Sequence, residues 1–343
     1  MKNIILIAII CLFAACKQEQ PPKDYAVIHG KITNPTENTP LRLYDPVTSE
    51  SILIEVAEDG TYSDTLRLKE PAYFNAVYNN VFSFYLANDM DVELNFDGNK
   101  ISETITYSGK GAAENEFLKY KSKRTGELMG EDYKEYLGLD QDAFDSRTSA
   151  YSKDLLDKLE DKNSDYTQAF IASEKENLDQ FKKDIQAQHE EQLKINKVLS
   201  PGLPSPEFTD YVNYKGGTSS LSDFKGKYVY IDVWATWCIP CIYEMPYLID
   251  IEKEYEGKNI EFIGLSIDRK KDEDKWRKMI VDKGLLGTQL LADNEIDSEF
   301  VRDYFIQGIP RFILLDPEGN IVSYDAPRPS EPRLKELFTS LNI

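Results

Sequence analysis

Residues Tyr228 to Trp234, YVYIDVW, form a nearly continuous apolar run that ends just short of a cysteine pair, Cys238-Ile239-Pro240-Cys241. A strand that is apolar on both faces must be covered on both faces, which suits the centre of a parallel sheet flanked by helices better than a one-sided antiparallel sheet. The sequence beyond it alternates accordingly. CIPCIYEMPYLIDIEKEY reads as a helix, IEFIGLSID as a strand, KDEDKWRKMIVDK as a helix, TQLLAD as a strand and EIDSEFVRDYF as a helix. RFILLDPEGNIVSY then reads as two strands joined by a DPEGN turn. The chain closes on a helix with Leu334, Leu337, Phe338 and Leu341 on one face. The expected fold of residues 199–343 is α/β, a mixed sheet flanked by helices, parallel at its centre with an antiparallel hairpin at one edge.

A CxxC that leaves a buried strand and opens a helix puts Cys238 at the helix amino terminus, where unpaired N–H groups and the helix dipole stabilise a thiolate. Cys238 is therefore the expected nucleophile. Cys241, one turn further on the same side, is close enough to form a disulfide and less open to solvent, which suits the resolving thiol. Pro240 fits the first helical turn, where its missing N–H would be unbonded anyway. Asp232 stands out because a carboxylate inside an apolar strand is costly unless paired or used. Glu244, on the second turn of the same helix, reads either as a solvated position or as a residue that tunes Cys238.

WATWCIPC, the LSDFKGK that leads into the first strand, Glu244-Met245-Pro246, and Gly308-Ile309-Pro310 before a later strand together resemble the thioredoxin superfamily. Within it the resemblance is to the TlpA/ResA-type membrane-tethered thiol-disulfide oxidoreductases, and it covers about Pro201 to Ile343. It implies a thioredoxin fold with a cis Pro310 packed beside the CxxC, and a backbone at Ile309 that pairs with the substrate peptide. Trp237, Ile239 and Pro240 complete the implied substrate-binding set. Thioredoxins have a buried Asp at the position of Asp232, where it shuttles a proton to and from the resolving cysteine; many TlpA/ResA-type proteins have Asn there. Pro310 lies farther beyond Cys238 than in plain thioredoxins, and the stretch from about Asp272 to Ala292 is similar to the insertion that characterises the TlpA/ResA type. The cofactor implied is the protein's own dithiol, and the reaction is reduction of disulfides, since Ile-Pro between the cysteines resembles reductases. An envelope protein that donates electrons is implied as a partner, beside a protein or small-molecule disulfide substrate. A peroxiredoxin-like thiol peroxidase is the nearest rival, but that family needs Thr or Ser where this chain has Ala235 and Pro where it has Ile231. A non-catalytic envelope binding protein would not need both cysteines and Pro310.

The remaining cysteines, Cys11 and Cys16, lie at the amino terminus in MKNIILIAIICLFAAC. Lys2 precedes an apolar run from Ile4 to Ala15, shorter than the ~20 residues of a bilayer span, with the layout of a secretory signal. Its FAAC ending resembles the lipobox of bacterial lipoproteins, with Phe13 where Leu is usual. That resemblance implies cleavage of residues 1–15 and acylation of Cys16, hence an exported protein anchored to a membrane. Lys17 in place of Asp favours the outer membrane. Residues 16–24 read as a polar tether, and residues 25–110, with short Val-, Ile-, Tyr- and Phe-rich runs between turn clusters, as a small antiparallel β domain. Residues 111–198 read as an α-helical segment, and LSPGLPSPEF marks a boundary through which a helix cannot continue. With 60 acidic against 40 basic residues the formal net charge is −20, which disfavours nucleic acid as a partner. A structural zinc site needs two ligands beyond a CxxC, and the isolated His29 and His189 do not supply them; no metal is expected.

Overall fold

The computed structural model describes residues 21–343. The expected signal peptide, the expected lipidation site at Cys16 and most of the tether lie outside the described residues. Packing divides the chain between Asp184 and Ile185. Among the described residues no helix is long and apolar enough to cross a membrane.

The first unit begins with β1 (Ala26–Thr33), β2 (Leu41–Tyr44), β3 (Ser51–Ile54) and β4 (Thr61–Leu66). It continues through β5 (Ala72–Val77), β6 (Val81–Leu86), β7 (Asp91–Asp97), a one-turn helix α1 (Ile101–Thr104) and β8 (Thr106–Lys110). These strands form two four-stranded sheets, ordered β4-β1-β7-β8 and β3-β2-β5-β6. The pairing is antiparallel as expected except between β1 and β7, which run parallel. Parallel neighbours need a long crossover, and here the whole of β2 to β6 intervenes; alternation within single strands carries no trace of it. Helices α2 (Ala112–Met129), α3 (Tyr133–Leu137), α4 (Gln141–Leu159) and α5 (Gln168–Leu199) follow. Phe170 of α5 meets Tyr85 of β6 and Phe117 of α2 edge-on, with centroids 4.9 and 5.6 Å apart.

In the second unit the sheet is larger. Its elements are β9 (Tyr211–Asn213), β10 (Thr218–Ser219), β11 (Tyr228–Trp234), α6 (Ile239–Glu254), β12 (Ile260–Ser266) and α7 (Glu273–Lys283). Then come β13 (Thr288–Leu291), α8 (Glu299–Asp303), β14 (Arg311–Leu315), β15 (Ile321–Ser323) and α9 (Pro332–Ser340). The strand order β10-β9-β13-β12-β11-β14-β15 puts the apolar YVYIDVW strand in the interior, between parallel β12 and antiparallel β14. This is a thioredoxin-like fold, with the expected β14–β15 hairpin at one edge. The opposite edge carries a second hairpin, β9–β10, whose strands are too short to show a period in the sequence. α8 is shorter than the expected helix because Ser298, extended and buried, interrupts it; its hydroxyl bonds that of Tyr211.

One face of the sheet packs Ile231, Val233, Ile263, Leu265 and Leu290 against Trp276 and Ile280 of α7 and Phe300 of α8. The other packs Tyr230, Phe262, Phe312 and Leu314 against Leu248 and Ile251 of α6 and Leu334 and Phe338 of α9. Leu199, at the end of α5, is fully buried in the first of these clusters, with Ile195 packed against it. The last turns of that helix therefore belong to the second unit.

Candidate active site

β11 delivers the chain to the site through a short loop, Ala235 to Trp237. Asp268, just beyond β12, holds that loop: its carboxylate accepts from the Thr236 amide at 2.9 Å and hydroxyl at 2.7 Å, and from the Ser266 hydroxyl at 2.8 Å. Cys238 is the N-cap of α6, with Pro240 in the first turn. Its Sγ accepts from the Cys241 amide at 3.1 Å, so one of the orphan N–H groups of the helix start points at this sulfur. Cys238 and Cys241 form a disulfide, with Cα atoms 5.3 Å apart. Both sulfurs are covered, Cys238 being 4% exposed and Cys241 1%, whereas the flanking Trp237 and Ile239 are 64% and 78% exposed.

Ile239, Tyr243 and Tyr247 recur at helical spacing on the solvent face of α6 and are all exposed. The Tyr243 and Tyr247 rings lie 5.7 Å apart. An exposed apolar and aromatic surface thus adjoins the disulfide. The Ile309–Pro310 peptide is cis; both residues are half-buried, and Ile309 packs on the cluster that contains both cysteines.

Asp232 lies on the face of β11 turned toward α6, by the two-residue period that also places Tyr230 there. It is 4% exposed, and its Oδ1 has no partner among the described residues. Burial, and then the charges of Glu252 and Glu244, push its pKa well above the usual carboxylate range. Glu244 is one turn beyond Cys241, so Asp232 faces the side of α6 that carries Cys241. Of the two readings open for Glu244, the solvated one is not met. Glu244 is buried, accepting from the Ser330 amide at 3.0 Å and hydroxyl at 2.9 Å.

Sequence reasoning missed Asp268, Glu252 and Gln289. Asp268 directly follows an apolar strand and so had a signal of the same kind as Asp232. Glu252 had none, since IEKEYE reads as a solvated helix end. Its carboxyl is nonetheless buried and pushed up to about 7 by desolvation and then by Glu261. Among the described residues no group of three or more His, Cys, Asp or Glu side chains could hold a metal.

A disulfide between the N-cap and the first turn of a helix that leaves an interior strand of a thioredoxin-like sheet defines a dithiol oxidoreductase by its chemistry. Residues 201–324 match the AhpC/TSA family. Thiol-disulfide oxidoreductase ResA of Bacillus thuringiensis subsp. konkukian is 29% identical over 140 residues, covering 41% of this chain and 78% of the relative. The thioredoxin-like protein YneN of Bacillus subtilis is 31% identical over 123 residues, covering 36% of this chain and 69% of the relative. A solution structure from Bacteroides vulgatus, described as a thiol-disulfide oxidoreductase, shares 46% identity over 41% of this chain and 90% of its own, with a TM-score of 0.37. The chain belongs to the ResA-like thioredoxin-like thiol-disulfide oxidoreductases of the AhpC/TSA family and is an oxidoreductase of that class.

Proposed function

We propose that this protein is an exported, lipid-anchored reductase of protein disulfides in a bacterial envelope, with Cys238 as the attacking thiolate, Cys241 as the resolving thiol and Asp232 as its proton acceptor. The observation that carries the reading is the position of Cys238 as N-cap of α6, its sulfur receiving the Cys241 N–H. Helix N–H groups and the helix dipole favour sulfur as thiolate at that point. In the reduced protein the Cys238 thiolate attacks one sulfur of a substrate disulfide and expels the other as a thiolate, which takes a proton. Cys241 then gives its proton to the Asp232 carboxylate and attacks Cys238 Sγ; the mixed disulfide breaks, the second substrate thiolate leaves, and Cys238–Cys241 closes. The substrate gains two electrons and the dithiol loses them, so an envelope dithiol donor must restore it. No cofactor beyond the cysteine pair enters.

The exposed Trp237, Ile239, Tyr243 and Tyr247 support a substrate that presents an apolar segment beside its disulfide, with the Ile309 backbone and Pro310 in the substrate-pairing role that the family resemblance implies. Ile-Pro between the cysteines supports the reducing direction. The leader-like residues 1–15 and the FAAC ending support export and acylation at Cys16, with the outer membrane favoured by Lys17.

Trapping tests the core of this reading. Cys241→Ser leaves the first attack intact and removes the thiol that completes the second, so mixed disulfides accumulate on non-reducing gels of the envelope fraction. Cys238→Ser traps far less. Equal trapping by the two variants overturns the roles, and no trapping by either together with peroxide consumption by the wild type moves the protein to the thiol peroxidases. Cys16→Ser releases the protein from the membrane fraction or blocks its processing; a fully membrane-bound mature form removes the lipid anchor.

A further inference from the structure

On the face of the sheet beneath α6, one lateral row of the ladder runs from Gln289 on β13 through Gly264 on β12 and Asp232 on β11 to Phe312 on β14. Residues directly opposite each other across a ladder share a face. Gly264 leaves an empty position in that row, and the Gln289 side chain fills it. A Cβ on Gly264 would lie 2.2 Å from Gln289 Oε1 and 2.8 Å from its Nε2. Neighbouring strands are ~4.8 Å apart, so this carboxamide is held about one strand spacing from Asp232.

Gln289 Nε2 donates to the Leu286 carbonyl at 2.7 Å. A Cβ on the next residue, Gly287, would lie 2.8 Å from Glu252 Oε1. The Glu252 carboxyl and the Gln289 amide therefore meet at the same turn into β13. Asp232, Gln289 and Glu252 are each nine-tenths buried or more, and Asp232 Oδ1, Gln289 Oε1 and Glu252 Oε2 have no hydrogen-bond partner among the described residues. Three such oxygens are all acceptors when the acids are ionised, but a protonated carboxyl is a donor, so a proton on one acid removes part of the deficit.

The geometry points to Glu252 as a positioning residue for the resolving step: Asp232 and Glu252, with Gln289 between them, form one buried acid pair, and the charge on Glu252 sets the pH at which Asp232 can take the Cys241 proton. This rests on the role given to Asp232 above. The groups that face the pair are all anionic or phenolic. Glu244 on α6 and Tyr230 on β11 adjoin Asp232, and Glu261 on β12 adjoins Glu252. The nearby cation, Lys227, is bound to Glu261 at 3.1 Å. Two carboxyls in such surroundings resist double ionisation and titrate as a pair. When Glu252 is charged, Asp232 holds its proton to higher pH. When Glu252 is neutral, Asp232 ionises at lower pH, takes the proton from Cys241 and frees the thiolate to attack Cys238.

The test uses the reduced full-length protein and 5,5′-dithiobis(2-nitrobenzoate). Attack by Cys238 releases the first coloured thiolate, and resolution by Cys241 releases the second. Glu252→Gln keeps shape and removes charge; the midpoint of the pH profile for the second release moves down by about half a unit or more, while the first release is unchanged. In an Asp232→Asn background the same change produces no shift. A profile for Glu252→Gln that superposes on wild type, or an equal shift with Asp232 already replaced, overturns the inference. If Asp232→Asn alone leaves the second release unaltered, the proton-acceptor role itself fails, a separate outcome. Redox-difference infrared spectra give a measurement that needs no variant to fold: at pH 6 two protonated-carboxyl bands respond to reduction, and a single responding band overturns the pairing.

Discussion

At the scale of single residues, the second unit keeps carboxyl groups where water cannot reach them. Glu252 illustrates the consequence for stability. Its folded pKa of about 7 lies above the ordinary glutamate value of 4.5, so the unfolded chain releases this proton more readily than the folded one. The associated stability is complete below about pH 4.5 and is lost as pH rises through 7. At 1.36 kcal/mol per pKa unit the loss amounts to about 3 kcal/mol at most. Glu252→Gln, which cannot ionise, is therefore expected to melt close to wild type at pH 5 and to gain about 2–3 kcal/mol over it at pH 8, measured by urea unfolding of the oxidised forms. A gain equal at both pH values would assign the effect to packing. Asp232→Asn should behave in the same direction, since burial raises that acid too, and it should slow resolution through Cys241 while leaving the first thiol exchange intact. The ionisation that the proposed resolving step needs is thus the one that folding resists.

At the scale of elements, two small contacts position the site. The first is the Gly264 position. Alanine there drives its Cβ into the Gln289 carboxamide, and the flexible side chain must leave a buried slot; about 1–3 kcal/mol of destabilisation is expected. Gln289→Ala empties the slot, so the pair should be less unfavourable than the sum of the single changes by about 1 kcal/mol or more. Additive denaturation midpoints would count against this packing. The second contact is the hold of Asp268 on Thr236, in the loop that carries Trp237 and Cys238. Asp268→Ala removes the acceptor for two bonds from Thr236 and one from Ser266. A loss of about 2–4 kcal/mol is expected, with faster amide exchange at Thr236 and Trp237 by NMR; unchanged exchange there would show that α6 alone orders the loop.

At the scale of the whole molecule, the division by packing falls inside α5 rather than in the proline cluster that ends it. Leu199 is fully buried in the core of the second unit, with Ile195 against it. A fragment starting at residue 185 should therefore unfold cooperatively and keep its disulfide exchange. A fragment starting at residue 201 lacks both side chains and should be less stable by about 2–5 kcal/mol, the cost of emptying a buried aliphatic site. Equal urea midpoints for the two fragments would show that the helix end contributes only contact, not stability.

The cysteine pair, its place at the start of a helix, the alternation of strands and helices and the odd carboxylate in YVYIDVW were legible without a structure, because each is a local pattern with a local cause. Periodicity follows from backbone geometry, and a charged residue in an apolar run is conspicuous wherever the run lies. The parallel β1–β7 pair, the second edge hairpin, the burial of Glu244 and the row Gln289–Gly264–Asp232 were not legible. Glu252 shows why: nothing in IEKEYE separates it from its solvated neighbours. Only the packing of α6 against β11, β12 and the turn into β13 turns one glutamate of that run inward, toward an aspartate in another element. The sequence by itself determined which thiols can react and on what kind of scaffold; the tertiary structure decided which carboxyls share their surroundings, because desolvation and Coulomb coupling depend on distances between elements that no local pattern records.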